Sequence, residues 1–209
     1  MKKLFYCIII SLNFFNCKLF AQNIDFNEKK VGIIISRKNL QIDSYQSKFW
    51  ASYLQINDSL GLTEENLKTA VTIKLGQLLI HWFSLYLKAT EVHFLNEGKK
   101  FENLVKSYPF KDKPDTPIPL DYIFCIDQLF LYSIKEKVVL TLSNKLFTEY
   151  QTKLKIEGKV IIYQLEPYKI IEDKIYKSYE NTLKSQPIKI EELSYKIEKI
   201  LGSWLNQIF

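Results

Sequence analysis

Residues 63–86, TEENLKTAVTIKLGQLLIHWFSLY, decide the class of fold. Thr63 is an N-cap residue, and Glu64 and Glu65 favour the positive end of a helix dipole in the first turn. Behind them Leu67, Ala70, Val71, Leu75, Leu78, Leu79, Trp82, Phe83 and Tyr86 recur at three- and four-residue intervals, which puts them on one helical face. Ile73, Ile80, Leu85 and Leu87 lie off that stripe, so little of the helix circumference suits water. The spacing predicts a long central helix laid on a sheet.

The flanks supply the strands. Val31-Gly32-Ile33-Ile34-Ile35 is β-branched without helical spacing and reads as a buried strand. Tyr45, Phe49 and Tyr53 stand four apart and predict a short helix over 44–56, followed by a loop at Asn57, Asp58, Ser59 and Gly61. Asn57-Asp58-Ser59 also matches a glycosylation sequon, a weak three-residue pattern. Glu91 to Leu95 alternates as a short strand, Gly98 ends it, and 99–107 predicts a helical turn or two. Residues 108–120 hold Pro109, Pro114, Pro117 and Pro119 with Lys111, Asp112, Lys113 and Asp115 between them, an exposed extended loop. It divides a helix-rich half from a strand-rich one. Tyr122 to Tyr132, Val138 to Leu142 and Leu146 to Ile156 read as strands, and Glu157-Gly158 as the two-residue turn of a hairpin carrying Leu154 and Ile156 to Val160 and Ile162. Pro167 ends that run. Ile190, Leu193, Ile197, Ile200, Leu201, Trp204 and Ile208 then define a closing helix. The expected fold is α+β: a mostly antiparallel sheet, with the long central helix and the C-terminal helix covering one face.

The first residues read as an export signal. Lys2 and Lys3 precede an apolar run from Leu4 to Leu12, extended by Phe14 and Phe15. That core is shorter than the roughly 20 residues a bilayer span needs. Two processing routes fit. Cleavage after Ala21 removes a signal peptide of residues 1–21. Lipoprotein processing removes 1–16 and acylates Cys17, although Asn16 stands where a small residue is expected. Either leaves one domain, 22–209 under plain cleavage, exported to the periplasm or cell envelope and attached to a membrane only through lipidation at Cys17. The chain has 29 basic and 23 acidic residues, +6. Losing Lys2, Lys3 and Lys18 leaves 26 against 23, or +3. Arg37 is the only arginine, and basic and acidic residues alternate, as from Glu191 to Lys199. Bidentate phosphate or base contacts need arginine, so nucleic acid is not the expected partner.

Candidate chemistry is sparse. The six glycines form no phosphate loop, and no serine sits in a nucleophile elbow. His81 adjoins Trp82 and is expected at the core or its boundary, and His93 is expected exposed beside Glu91. Two histidines twelve residues apart make no zinc site. Glu91, Asp121 and Asp127 are carboxylates without a catalytic pattern. Cys125, set among Tyr122, Ile123, Phe124 and Ile126, is expected to be a buried apolar side chain. The expectation is no catalytic residue, no cofactor and no metal. Phe209 ends the chain, but Leu201, Leu205 and Ile208 keep helical spacing, which excludes the alternation of a barrel strand. The 30 aromatic residues fall mostly on faces predicted to be buried.

In its export signal, in a first strand of the Val31–Ile35 kind and in a glycine-turn hairpin at Lys155–Ile162 before the last helix, the chain resembles small bacterial envelope lipoproteins of the curli-secretion and TolB amino-terminal domain type. The resemblance covers most of residues 31–205 and implies an accessory or assembly role in the envelope. It carries over no functional residue. Three functional readings follow. The first is a non-enzymatic envelope protein that binds another envelope component, protein or lipid. The second is a small-molecule or lipid binder with an aromatic cleft between helix 63–88 and the sheet. The third is a hydrolase with an unrecognised site.

Overall fold

A computed structural model describes residues 24–54, 63–142, 145–182 and 190–209. The proposed signal, with Ala21 and Cys17, and the sequon at Asn57 lie outside the described residues.

Strand β1 (Lys30–Ile35) leads through a 3-10 turn at Arg37–Asn39 into β2 (Leu40–Ile42) and helix α1 (Ser44–Tyr53). The long helix α2 (Glu64–Leu85) follows, then β3 (Glu91–Phe94), a 3-10 turn at Lys99–Phe101 and the short helix α3 (Glu102–Lys106). Three long strands, β4 (Tyr122–Leu142), β5 (Lys145–Leu165) and β6 (Tyr168–Thr182), precede the closing helix α4 (Ile190–Ile208). The sheet order is β3-β1-β4-β5-β6, with β2 also paired to β4. β1 is parallel to both β3 and β4, whereas β4, β5 and β6 are antiparallel. The fold is therefore the expected α+β, on a mixed sheet.

Why α2 lies where it does follows from its stripe. Leu67, Val71, Leu75, Leu79 and Phe83 are all buried, one every four residues, and they meet Ile33, Ile35, Phe124 and Ile126 of the sheet. Thr63 caps the helix by accepting from the Asn66 amide at 3.2 Å. Gly76 permits a close approach to β3: a Cβ there would stand 2.7 Å from the Phe94 ring. At the other end Lys88 takes φ 54°, and the chain turns into β3 with the Ala89 amide on the Phe83 carbonyl at 3.0 Å. α1 and α4 join α2 over the same face, and α4 brings Ile200, Leu201, Trp204, Leu205 and Ile208 into that core. The opposite face has a second, smaller core of Ile34, Ile123, Cys125, Ile161 and Tyr163, roofed by Phe101, Leu104, Phe110 and Leu120. The proline loop is exposed at Lys111, Asp112 and Lys113, as expected, but its ends, Phe110 and Leu120, are buried as part of this roof.

The strand-rich half differs from expectation in its boundaries. Glu157-Gly158 is not a turn: Glu157 pairs with Phe130 and Gly158 with Leu129 in the middle of β5. Gly158 is required by packing, because a Cβ would lie 2.5 Å from Cζ2 of the buried Trp204 and 3.2 Å from the Gln128 carbonyl. The hairpin turn falls instead at Glu166-Pro167, and a further strand, β6, follows where none was expected. Val138–Leu142 is the continuation of β4, not a separate strand, so β4 and β5 each run 21 residues, about 70 Å at strand rise. The last described pair of β6 is Thr182 opposite Thr152. Among the described residues, Glu136–Leu142 and the facing part of β5 therefore continue as a two-stranded ribbon.

Candidate functional site

β1 hands the chain to the face that carries α1 and α2, and β3 hands it to the opposite face, where α3 and the proline loop lie. Two neighbouring parallel strands whose following segments leave for opposite faces open a crevice beyond their carboxyl ends. Such a crevice exists here, with a volume of about 410 Å³. Its walls are Ser36, Arg37 and Lys38 after β1, Asn96 and Glu97 after β3, Thr69, Thr72 and Ile73 on α2, and Val105, Lys106 and Tyr108 at α3.

The floor is built by side chains that replace strand pairing where the strands end. Asn96 accepts from the Ile35 amide at 2.8 Å and donates to the Ile35 carbonyl at 2.9 Å, so its amide acts as one more rung of the sheet. The β1–β2 path steps out of register over Ser36–Asn39, and β4 answers with a bulge between Ile126 and Gln128. Across that double irregularity the Ser36 amide donates to the Ile126 carbonyl at 2.8 Å and Asn39 Nδ2 to the Asp127 carbonyl at 3.0 Å. The bulge frees Asp127 from sheet alternation. Its carboxylate accepts the Tyr108 hydroxyl at 2.8 Å and has Lys159 Nζ at 4.0 Å. Burial, with Cys125 and the accepting Asp127 beside it, holds the Tyr108 phenol far above its ordinary pKa, so it stays a neutral donor.

The rim carries charge of both signs. Arg37 lies over α2, with Nη1 3.1 Å from Thr69 Oγ1 and Nε 3.4 Å from Glu65 Oε1. Lys106 is held by Glu102 at 2.5 Å. The side chains of Lys38 and Glu97 make no hydrogen bond or ion pair among the described residues and line the opening. Apolar surface between them comes from Ile73, Phe94 and Val105. None of these walls was singled out from sequence as a site; the one available signal was that Arg37 is the sole arginine.

The residues that sequence did single out stay apart. His81 is exposed on α2, contrary to the expectation of a core or boundary position: the residues that touch the sheet are its neighbours Leu79 and Phe83, and position 81 falls between them on the outer side. His93 is half-buried on β3, with Nε2 3.4 Å from Glu91 Oε2. Glu91 is also held by Lys30 Nζ at 2.7 Å, and the hydrogen bonds from Lys30 first and then His93 keep its carboxyl below the usual range. Cys125 is fully buried as expected, and burial pushes its thiol well up. Leu95 and Leu120 sit over Gly32, the β1 residue paired with both His93 and Ile123, so apolar side chains intervene between His93 and the Cys125 strand. Asp121 is structural: its carboxylate accepts the Lys30 amide at 2.8 Å, and its backbone joins β1 to β5. Among the described residues no three His, Cys, Asp or Glu side chains are placed to hold a metal ion. Among the described residues, packed rings and not an aromatic cleft occupy the space between α2 and the sheet. Phe26, Phe83, Phe124 and Phe209 pack there edge to face or tilted, with centroids 5.0 to 6.0 Å apart. No described helix is long and apolar enough to cross a membrane.

No protein-family model matches the chain, and none of the curated proteins matches it in sequence. Among solved structures, it is similar to a minor lipoprotein from Acinetobacter baumannii, at 10% identity and a TM-score of 0.31, covering 86% of this chain and 87% of that one. It is also similar to a hypothetical protein from Chlamydia trachomatis, at 6% identity and a TM-score of 0.40, covering 86% of this chain and 96% of that one. At these scores the likeness fixes neither a common fold nor a function.

Proposed function

We propose that this chain is an exported envelope protein that works by binding another envelope component, without catalysis. The observation that carries this reading is the crevice beyond β1 and β3. It combines apolar walls with rim charges of both signs, Lys38 and Glu97, and has no histidine or thiol on its lining. Mixed charge around an apolar slot suits a short segment of a protein partner, whose backbone and side chains offer both signs. The export signal read from residues 1–21 supports the envelope as the place. A photo-crosslinking residue at Lys38, expressed in the native host, should give a discrete adduct. The same residue at exposed Thr148, on the distant ribbon, should not. Absence of an adduct at position 38, or equal labelling from both positions, would overturn the assignment of the crevice as the contact.

A further inference from the structure

A second concavity lies elsewhere on α2. The crevice touches Thr69 to Ile73, whereas the last turns of α2 face α4 across an open groove of about 500 Å³. Their nearest residues on the helix, Ile73 and Trp82, are nine positions apart, about 14 Å at helical rise.

One wall of this groove is aromatic. Trp82 and Tyr86 stand with ring centroids 4.8 Å apart and planes tilted by 37°. Trp82 is backed by Phe209, stacked at 6.4 Å, and Phe209 packs in turn on Phe83, Phe124 and Phe26. The platform is thus fixed from behind by the core. Tyr86 and its neighbour Leu85 remain 59% and 60% exposed, so their outer faces meet solvent in the absence of a ligand.

The other wall is polar: Glu198 and Lys199 stand at one end of it, and neutral side chains continue it towards the end of α4. Ser203, Asn206 and Gln207 line it from α4, and none of their side chains makes a bond among the described residues. The Trp82 indole N–H likewise donates to no described residue, in contrast to Trp204, whose indole donates to the Tyr176 carbonyl at 3.0 Å. Between them Gly202 opens the floor: a Cβ there would meet nothing within 4 Å. The position makes no backbone demand for glycine, since it sits inside a helix where glycine is unfavourable.

From this pairing we infer that the groove binds a saccharide, through the C–H face of a pyranose ring. A pyranose ring presents a flat patch of C–H bonds on one face and hydroxyls around its edge. The C–H face fits the tilted indole and phenol, and the hydroxyls fit the amides, the serine and the indole N–H. An acyl chain would leave Ser203, Asn206 and Gln207 facing hydrocarbon with their hydrogen bonds unmade. A docked amphipathic helix needs a continuous apolar groove, which a wall of charged and polar side chains does not provide. The site stands independently of the crevice and of its proposed partner.

The test is a nuclear magnetic resonance titration of the isotope-labelled chain with chitotriose and with cellotriose, following the Trp82 indole N–H and the Asn206 and Gln207 side-chain amides. Saturable shifts confined to these groups are expected with at least one sugar, in the millimolar range. Gly202→Gln fills the floor from the solvent side and should abolish the shifts while leaving the melting temperature no lower. Tyr86→Ala, at an exposed position, should weaken binding at least fivefold. No saturable shift with either sugar at tens of millimolar would overturn the proposal, as would shifts unchanged in Gly202→Gln. A response to dodecylphosphocholine micelles and not to sugar would overturn it in favour of a lipid surface.

Discussion

Replacing Gly158 by alanine adds one carbon atom to the middle of β5, and its effect can be worked from the neighbours. The new Cβ would stand 2.5 Å from Trp204 Cζ2 and 3.2 Å from the Gln128 carbonyl oxygen. Carbon atoms rest at about 3.5–4.0 Å, so the indole has to retreat by about 1 Å or more. Trp204 is fully buried and tied by its N–H to the Tyr176 carbonyl at 3.0 Å. A retreat of that size takes the bond out of range. Overpacking costs roughly 1–3 kcal/mol and the lost bond about 1 kcal/mol, against a gain of about 0.5–1 kcal/mol for removing a strand glycine. The expected net loss is about 1–3 kcal/mol. Urea unfolding measures it, and the informative experiment is a double-mutant cycle with Trp204→Phe, whose shorter ring leaves the Cβ room. Trp204→Phe destabilises on its own, yet in that background Gly158→Ala should be neutral or slightly stabilising, a coupling of about 1–3 kcal/mol. If Gly158 occupied a hairpin turn with positive φ, alanine would be penalised equally in both backgrounds. Additivity within about 0.5 kcal/mol would therefore refute the packing of α4 on β5.

Leu79→Asp, which places an unpaired charge against the sheet under α2, should remove several kcal/mol, on the order of the whole stability of a domain; Lys88→Asp, at an exposed position with φ 54°, should leave the melting temperature within a few degrees of the parent. The raised Tyr108 pKa has a definite sign: the phenol stays protonated in the folded chain where the unfolded one ionises near pH 10, so its contribution is complete below that pH and is lost as pH rises. Alkaline melting curves of Tyr108→Phe should accordingly fall less steeply above pH 10 than those of the parent, and parallel curves would count against a buried Tyr108–Asp127 pair. Limited trypsin digestion should cut first after exposed Lys111, since Pro114 protects the bond after Lys113, and leave the two pieces associated, because β1, β3 and β4 pair across the cut; release of either piece would contradict the sheet order. His81→Gln, His93→Gln and Cys125→Ala combined should preserve the cellular phenotype of the native host at normal abundance, and its loss would point to histidine- or thiol-dependent chemistry.

The first half of the fold was legible because each element carries its own signal. The α2 stripe is buried on one side and capped by Thr63 at the start. The run at Val31–Ile35 is a strand with partners on both edges. In the second half the decisive information is non-local. Glu157-Gly158 has the composition of a turn, but what requires glycine there is an indole on the last helix. β6 escaped notice because it is an edge strand with Lys169, Asp173, Lys174 and Lys177 on it, and only a few positions, such as Ile171, Tyr176 and Ser178, turn towards the protein. Pro167 marks the true turn, and a proline reads equally well as an end.

The crevice was illegible for a related reason. It arises where β1 and β4 both lose register, and the slip in β4 falls inside a stretch so nearly continuous in apolar residues that a one-residue change of phase leaves no trace. Before Asp127 the even positions Phe124 and Ile126 face the helices; after it the odd positions Leu129 and Leu131 do. The bonds that shape the opening join residues far apart in sequence, Ile35 to Asn96 and Asn39 to Asp127. An asparagine that serves as a strand rung and an aspartate released by a bulge are ordinary loop and strand residues until the strands are paired. Sequence period reports which side of an element is buried. It does not report where two elements stop pairing, and that is where the open surface of this protein is made.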